Sequence, residues 1–472
     1  MKKKKSLINA GIFLTFGNYL IKGLVFLTIP IFSRLLSTSD YGLYNSFIAY
    51  ESLLTCFVGV SIQTSYKNAK LKYKDNYKNY VSNSIIFIII LSIIWGIICN
   101  VLYKPICNVL GIQRNIMNML IVYSFSMALL MCYNEEMAIE YKYGNYLIIA
   151  IINAVLNLGL SLILIRFVYP EQRYLGRIIG TCIPVFLVAI YIIKIHIQNF
   201  DKSSFKTSIG WGCKYSIPLI PHAISIILLS QFDRIMILNM VGEQQAGIYS
   251  FAYNIDTIIN VTVQSLVTVW SPWFYTKMSE KNYQVIKIRT KQLIYIVSVF
   301  VSLLILIVPE IIYILGGVKY KDSIYSVLPI MIGSFFAFLY NIPGSVEYYL
   351  AKTKAIAVGT TLAAFINILL NWIFINKYGY IAAAYTTMFT YFLYFLFHFF
   401  IAKKFLKKTL FNIGMFIPSI CMILITTFVS YILIRQIYVR IIIFVTIFIS
   451  NILYEEIKWG IVRKRLYNKN VI

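Results

Sequence analysis

Charged residues are scarce in this chain, and acidic ones are the scarcest. Asp and Glu together account for 17 of the 472 residues, and all charged types make up 13%. A soluble globular surface is roughly a quarter to a third charged, so this composition excludes a water-soluble globule. Hydrophobic residues instead make up 60% of the chain, in runs of about 20 residues or more that are long enough to cross a bilayer as helices. The sequence therefore predicts an all-α, polytopic membrane protein.

The residues that build metal, disulfide and nucleotide sites are also few. Three histidines and seven cysteines are scattered along the sequence, without a Cys-x-x-Cys pair or a Cys/His cluster. This pattern argues against a zinc site and a disulfide framework. The phosphate-binding motif G-x-x-x-x-G-K-[ST] does not occur in the sequence, so we do not expect the protein to hydrolyse ATP itself. We predict no metal, no cofactor and no catalytic residue.

Basic residues are the exception to this scarcity. Lys and Arg number 43, which gives a net charge of +26. They lie mostly in short segments between the apolar runs, where the positive-inside rule places cytoplasmic loops. Once these loops are assigned, no basic surface is left for a nucleic acid, so we expect no nucleic-acid partner.

The apolar runs predict fourteen transmembrane spans. Their approximate bounds are 10–35, 41–65, 80–103, 116–139, 145–167, 175–196, 210–235, 246–274, 291–315, 324–350, 355–375, 379–401, 411–434 and 439–457. Basic residues concentrate in both terminal tails and on every second connection, so we expect both termini in the cytoplasm. The first run is too long for a cleaved signal peptide and is not followed by a small-residue cleavage site. We interpret it as an uncleaved span.

Two stretches about 200 residues apart indicate an internal repeat. "SRLLSTSDYGLYNSF" (33–47) and "DRIMILNMVGEQQAGIYSF" (233–251) each place an arginine at the end of one apolar run and Gly-aliphatic-Tyr at the start of the next. Other matches keep the same order: Lys22 with His222, Gly42 with Gly247, Tyr44 with Tyr249, Glu51 with Asp256, Glu140 with Glu347, and Asn153 and Asn157 with Asn367 and Asn371.

A repeat of six spans keeps its orientation in the membrane, so the halves are predicted to be parallel repeats with a site at their interface, as in alternating-access transporters. We predict one six-helix lobe over 1–205 and a second over 206–402. Two additional helices and a cytoplasmic tail follow over 403–472.

Charges inside the spans are the candidate site residues, because a charge within the bilayer is costly and usually faces a cavity or a partner. They form two matched sets, one in each predicted lobe: Lys22, Glu51 and Arg34, and His222, Asp256 and Arg234. We interpret the four basic residues as substrate-binding and the two acids as coupling or charge-pairing groups. Helix packing alone, or arginines that snorkel to the interface, are alternatives that stay open. Glu140 and Glu347 lie at helix ends, where we expect solvated or capping roles.

Three motifs add a resemblance to a known family. They are R-x-L-x-x-x-D-Y-G-x-Y (Arg34, Leu36, Asp40, Tyr41, Gly42, Tyr44), the D-R pair (Asp233, Arg234) and N-x-x-L-N (Asn153, Leu156, Asn157; Asn367, Leu370, Asn371). With fourteen spans and a duplicated lobe, the whole chain resembles the bacterial polysaccharide-biosynthesis (Wzx-type) flippases. These belong to the MATE-like multidrug/oligosaccharidyl-lipid/polysaccharide exporter superfamily.

The resemblance implies an inner-membrane carrier that takes undecaprenyl-pyrophosphate-linked oligosaccharide, such as an O-antigen, capsule or exopolysaccharide unit, from the cytoplasmic to the outer leaflet. It leaves H⁺ and Na⁺ open as coupling ions, and membrane lipid, a polysaccharide polymerase and chain-length proteins open as partners. An ion-coupled multidrug exporter of the same fold is an alternative, since Glu51 and Asp256 could bind cations. A membrane polysaccharide polymerase fits less well, because the outer connections are short.

Overall fold

The structure is a computed structural model that describes residue 23 and residues 26–406 and 410–452. All regular secondary structure in these ranges is helical, which confirms the predicted all-α class. The helices are α1 (Phe26–Leu35), α2 (Thr38–Val58), α3 (Tyr66–Tyr73), α4 (Tyr77–Val101), α5 (Tyr103–Leu110), α6 (Arg114–Ile139), α7 (Tyr143–Ile163), α8 (Arg173–His196), α9 (Lys202–Ser216), α10 (Ile220–Met240), α11 (Glu243–Ser279), α12 (Tyr283–Gly316), α13 (Ile324–Tyr349), α14 (Thr353–Tyr378), α15 (Tyr380–Phe405), α16 (Ile417–Ile432) and α17 (Ile437–Ile452).

The apolar helices agree with the predicted spans. Within the described residues, nine segments are long and apolar enough to cross a bilayer: Ile62–Val101, Arg114–Ile139, Tyr143–Val168, Arg173–Asn199, Lys202–Met240, Tyr283–Gly316, Val318–Tyr349, Thr353–Tyr378 and Tyr380–Phe405. The helices α1, α16 and α17 are shorter but apolar, and α2 and α11 are 21 and 37 residues long. Taken in order, these segments provide one counterpart for each predicted span, and the protein is a polytopic membrane protein.

The chain divides into two compact units. Unit 1 comprises Met1–Asn254 and Ala357–Thr386, and unit 2 comprises Ile255–Ile356 and Thr387–Ile472. In unit 1, α4, α6 and α8 enclose a core that includes fully buried Tyr66 and Tyr80. In unit 2, α12 packs against α13 and α16 around Ile305 and Phe335. The unit boundaries fall inside α11, α14 and α15, and the lobes at 1–205 and 206–402 stay a prediction.

The motif between α1 and α2 fixes where α2 begins. Ser37 and Asp40 form a capping box: the Asp40 N–H donates to the Ser37 hydroxyl at 3.0 Å, and the Asp40 carboxylate accepts from the Ser37 N–H at 3.2 Å. Such reciprocal bonds satisfy backbone donors that a helix start leaves free. The other Asp40 oxygen accepts from the Tyr174 N–H at 3.1 Å. Asp40 therefore both caps α2 and ties it to the start of α8.

The repeat-matched glycines of unit 1 lie against each other. A Cβ on Gly42 would overlap the Glu243 carbonyl oxygen and lie 2.7 Å from the Gly247 nitrogen. A Cβ on Gly247 would overlap the Thr38 carbonyl oxygen in the same way. Only glycine permits this backbone approach, so the matched Gly-aliphatic-Tyr stretches bring α2 and the start of α11 into direct contact.

The seventh predicted span is interrupted at its prolines. The helix α9 ends at Ser216, a 3₁₀ turn covers Ile217–Leu219, and α10 starts at Ile220. Pro218 and Pro221 have no N–H to donate within the span, which explains the break.

Candidate functional site

The acidic candidates are buried in their helices. Glu51 in α2 is buried and accepts a hydrogen bond from the Thr55 hydroxyl at 2.7 Å. Asp256 in α11 is fully buried, and one of its oxygens accepts from Ser334 and from Asn260, each at 2.6 Å. The second oxygen of Asp256 has no hydrogen-bond partner among the described residues.

The basic candidates have different surroundings. Lys22 lies outside the described residues. Arg34, near the end of α1, is exposed, and His222, near the start of α10, is half-buried with its Nδ1 lacking a partner in the described chain. Arg234 in α10 is buried. Its Nη1 donates to Gln231 at 2.5 Å, and its guanidinium lies 5.1 Å from the centre of the Tyr253 ring.

A second buried arginine, Arg177 in α8, was not identified from the sequence. Its Nη1 donates to Ser161 at 2.8 Å and to Asn157 at 2.5 Å, both in α7. The guanidinium lies 3.6 Å from the centre of the Phe32 ring and 4.7 Å from that of Tyr44, within the range of a cation–π contact. Asn157 belongs to the N-x-x-L-N motif, so one of its roles is to hold Arg177.

Two glycines bring Arg177 close to α7. A Cβ on Gly180 would lie within 2.6 Å of three atoms of Ser161, and a Cβ on Gly176 would lie 2.9 Å from the Ile165 nitrogen. Because both glycines lack a side chain, α8 can approach α7 closely, and the Arg177 guanidinium reaches Ser161.

The acidic member of the D-R pair accepts hydrogen bonds from three side chains. Asp233 accepts from the Tyr249 hydroxyl at 2.6 Å, from Tyr253 at 3.3 Å and from the Asn371 amide at 2.7 Å. Asn371 is the second copy of the asparagine that contacts Arg177, and it also accepts from Thr386. The two N-x-x-L-N motifs thus support a buried charge in both cases, a cation with Asn157 and an anion with Asn371.

Tyr41 connects the two buried arginines of unit 1. Its hydroxyl accepts from the Asn254 amide at 2.5 Å, and it lies within electrostatic range of both Arg177 and Arg234. We call Tyr41, Tyr44, Arg177, Arg234 and Tyr253 the arginine–tyrosine cluster.

The arginine–tyrosine cluster has excess positive charge. Arg177 and Arg234 donate to neutral side chains, and the Nε of each has no hydrogen-bond partner in the described chain. The neighbouring carboxylate, Asp233, can balance one of the two cations. Buried cations surrounded by low-dielectric material attract anions strongly, and free N–H groups are suited to bind them.

Buried Glu–His pairs occur in both units. In unit 1, His196 Nε2 lies 2.8 Å from the Glu136 carboxylate, and Nδ1 lies 2.8 Å from the Ile192 carbonyl oxygen. In unit 2, His398 Nδ1 lies 2.7 Å from Glu347. Because a carbonyl oxygen can only accept, Nδ1 is the ring nitrogen of His196 that is placed to donate to Ile192, and Nε2 faces the carboxylate. The pairs join α6 with α8 and α13 with α15, which are corresponding helices of the predicted repeat.

The expectation for Glu347 is therefore wrong, whereas Glu140 lies at the end of α6 as expected, with a side chain that is 12% exposed. Glu140 follows α6 and forms ion pairs with Lys142 at 2.5 Å and Lys70 at 3.7 Å. Partial burial raises the pKa of Glu140, but the hydrogen bond and charge of Lys142, with the charge of Lys70, outweigh this and lower it. Glu347 is fully buried because α15 places His398 against it.

The criterion that selected Lys22 is a charged or titratable residue inside or beside an apolar run, and it also applies to Arg177 and the Glu–His pairs. The sequence does not show which residues contact each other, because the hydrogen-bonding partners in these sites lie 16 to 60 positions apart. Among the described residues, no group of three or more His, Cys, Asp or Glu side chains is placed to hold a metal ion.

Comparison with known proteins identifies the family and the fold. Residues 7–279 match the family described as "Polysaccharide biosynthesis protein". A protein of the Lsg locus of Haemophilus influenzae is 23% identical over 174 residues, which cover 36% of this chain and 43% of that relative. The chain thus spans less than half the length of this curated relative.

Two solved structures have the same architecture. The lipid II flippase MurJ, in an inward closed conformation, superposes with a TM-score of 0.70 at 17% identity, covering 94% of this chain and 99% of that one. An inward-facing MATE-family multidrug resistance transporter superposes with a TM-score of 0.63 at 12% identity, covering 82% and 94%. The fold is therefore of the MATE and MurJ type.

Proposed function

Since the chain belongs to the polysaccharide biosynthesis protein family, we propose that it is a flippase for undecaprenyl-pyrophosphate-linked oligosaccharide in a bacterial inner membrane. It takes the lipid-linked unit from the cytoplasmic to the outer leaflet. The observation that supports this substrate is the excess positive charge of the arginine–tyrosine cluster, with its two free Nε–H groups.

The chemistry of the substrate fits this cluster. A pyrophosphate has oxygens that accept charge-assisted hydrogen bonds from guanidinium groups. The sugars have apolar faces that can stack on tyrosine rings, and Tyr41, Tyr44 and Tyr253 lie beside the two arginines. Lys22, Arg34 and His222 are proposed as further cationic contacts along the path of the substrate.

Glu51 and Asp256 are proposed as the sites of the coupling ion, H⁺ or Na⁺. Both are buried carboxylates held by hydroxyl or amide groups rather than by a basic side chain. The free oxygen of Asp256 is the specific observation that favours the second candidate function, an ion-coupled multidrug exporter, because a cationic drug would need such an acceptor.

Export of lipid-linked oligosaccharide in cells that lack the native gene tests the proposal. Arg234→Ala and Arg177→Ala should each abolish most surface polysaccharide and leave lipid-linked units unreachable by a membrane-impermeant probe. Loss of a buried charge contact costs roughly 2–5 kcal/mol. Lysine at either position should retain part of the export, because it keeps the charge but not the planar guanidinium.

Arg289→Ala is the matched control. Arg289 is exposed and donates to Gln292 three positions away at 2.8 Å, as Arg234 does to Gln231, so its loss should leave export unchanged. Normal export by folded Arg177→Ala and Arg234→Ala proteins would refute the proposed site. Normal export in cells without the protein, together with increased sensitivity to cationic drugs, would instead establish the multidrug exporter.

The orientation is tested by labelling single cysteines in a background without native cysteines. A cysteine at Gln244, in the first turn of α11, should react with an impermeant maleimide added outside. One at Asp75, between α3 and α4, should react only after the cells are opened. The reverse pattern would overturn the proposed cytoplasmic termini.

A further inference from the structure

Unit 2 contains a cavity that shares no lining residue with the arginine–tyrosine cluster. It has a volume of about 810 Å³ and is formed by the start of α12, the end of α15 and residues 410–415. Lys287 and Lys291 line it from α12, and Lys403 lines it from α15. The described lining residues include three cations and no carboxylate.

The three lysines have no described partner for their charge. None of the three side chains takes part in an ion pair or a hydrogen bond of the described chain, and all three residues are exposed. Lys287 and Lys291 are four positions apart in a helix, where like charges repel each other. Lys403 adds a third positive charge to the same cavity, so an anion bound there would relieve this repulsion.

The rest of the cavity wall is apolar. Of its apolar lining residues, Phe399 and Phe411 are buried, whereas Phe400 and Ile288 are 61% and 50% exposed. Leu396, Phe400 and Lys403 lie three or four positions apart and thus on one face of α15. Apolar side chains therefore run along the helix towards the bilayer, and the lysine marks the polar end.

The cavity lies at the ends of two membrane-spanning segments, where lipid headgroups are expected. Lys287 follows the first turn of a membrane-spanning segment that starts at Tyr283, and Lys403 lies two residues before the end of one that finishes at Phe405. Basic pockets between transmembrane helices at this level bind the headgroups of anionic lipids. A soluble anion would use the lysines but not the exposed Phe400 and Ile288.

We infer that this cavity binds an anionic phospholipid, with its phosphate on Lys287, Lys291 and Lys403 and an acyl chain along Phe400 and Ile288. The shared chemistry is a phosphate group, and the lipid is its source because the wall continues into an apolar face. The site is independent of the proposed transport function. In the proposed orientation the cavity lies in the cytoplasmic leaflet, and only this assignment depends on that orientation.

Native mass spectrometry of the purified protein, with defined lipids added, tests this inference. The test variant is Lys291→Gln/Lys403→Gln. The control is Arg289→Gln/Lys404→Gln, which removes two positive charges from the same two helices at exposed residues that do not line the cavity. Phosphatidylglycerol and cardiolipin should remain bound to wild type and control, with affinity about tenfold weaker in the test variant. Phosphatidylcholine should bind all three proteins equally weakly.

Three results would overturn the inference. Equal retention of anionic lipid by the test variant and the control would show that the cavity does not bind it. Displacement of the lipid by millimolar inorganic phosphate would identify a free-phosphate site. Preferential binding of an undecaprenyl phosphate over phosphatidylglycerol would assign the cavity to the transported lipid. Export activity is not a readout here, so a failed transport proposal leaves the result interpretable.

Discussion

Breaking the buried Glu347–His398 pair should destabilise the protein far more than breaking a solvated ion pair. The His398 and Glu347 side chains are 1% and 0% exposed, and the histidine ring packs near Tyr340 and Tyr394, with centroid distances of 5.5 and 4.5 Å. His398→Phe keeps an aromatic ring in this space but leaves Glu347 without its partner. Loss of one partner of a buried pair costs roughly 3–5 kcal/mol, and we expect a decrease in stability of that size.

The double variant Glu347→Leu/His398→Phe separates the missing partner from the lost packing. With both polar groups removed, nothing buried is left unsatisfied, so the expected cost is below about 2 kcal/mol. The coupling between the two positions should exceed about 1 kcal/mol. Unfolding in detergent, followed by intrinsic fluorescence against temperature and denaturant, measures these differences.

Glu140→Gln is the control, because the sequence matches Glu140 with Glu347 across the repeat. The Glu140 side chain is 12% exposed and that of its partner Lys142 is 51% exposed, so water reaches this pair, and pairs of this kind contribute up to about 1 kcal/mol. If His398→Phe were tolerated as well as Glu140→Gln, or if the double variant were as unstable as His398→Phe, the pair would not be the stabilising unit that its burial implies.

Three other changes test the packing and the charges. Gly42→Ala should cost at least about 2 kcal/mol because its Cβ meets backbone atoms, whereas Gly96→Ala, which meets nothing within 4 Å, should be neutral or slightly stabilising in the same thermal assay. Asp233→Ala should cost about 3 kcal/mol or more, since Tyr253 and the buried Tyr249 and Asn371 lose their acceptor; wild-type unfolding of this variant would contradict the network. Because the pKa of Glu140 is lowered in the folded protein, its ion pairs contribute stability at a pH above the usual pKa range of glutamate, and this stability is lost as the pH falls through that range. Glu140→Gln should therefore weaken the pH dependence of the unfolding midpoint below about pH 5. An unchanged pH dependence would contradict the assignment.

The helices could be predicted from the sequence because each apolar run is long enough to form a membrane-spanning helix by itself. The span expected at 116–139 is Arg114–Ile139, and that expected at 145–167 is Tyr143–Val168. The spans α2 and α11 are less apolar, and α11 extends beyond 246–274 to Glu243–Ser279. Boundaries of this kind depend on caps and neighbouring helices rather than on hydropathy.

The contacts of the site could be predicted only in part. Burial of Glu51, Arg234 and Asp256 follows from a polar residue inside an apolar run. The residues that surround Arg177, and the meeting of His196 with Glu136, depend on which helices are neighbours and how each is rotated. Apolar periodicity does not encode that rotation when a helix is apolar on most of its circumference.

The contact between Gly42 and Gly247 joins two residues that the sequence matches across the predicted repeat, as identical residues meet on the twofold axis of a symmetric dimer. Both positions already have the smallest side chain, so no substitution on either helix can offset a change on the other. No layer of side chains lies between α2 and the start of α11. A small separation of the two helices would therefore leave a gap that no change of rotamer could fill. Any conformational change of the protein therefore either moves these two segments together as one body or breaks the contact outright.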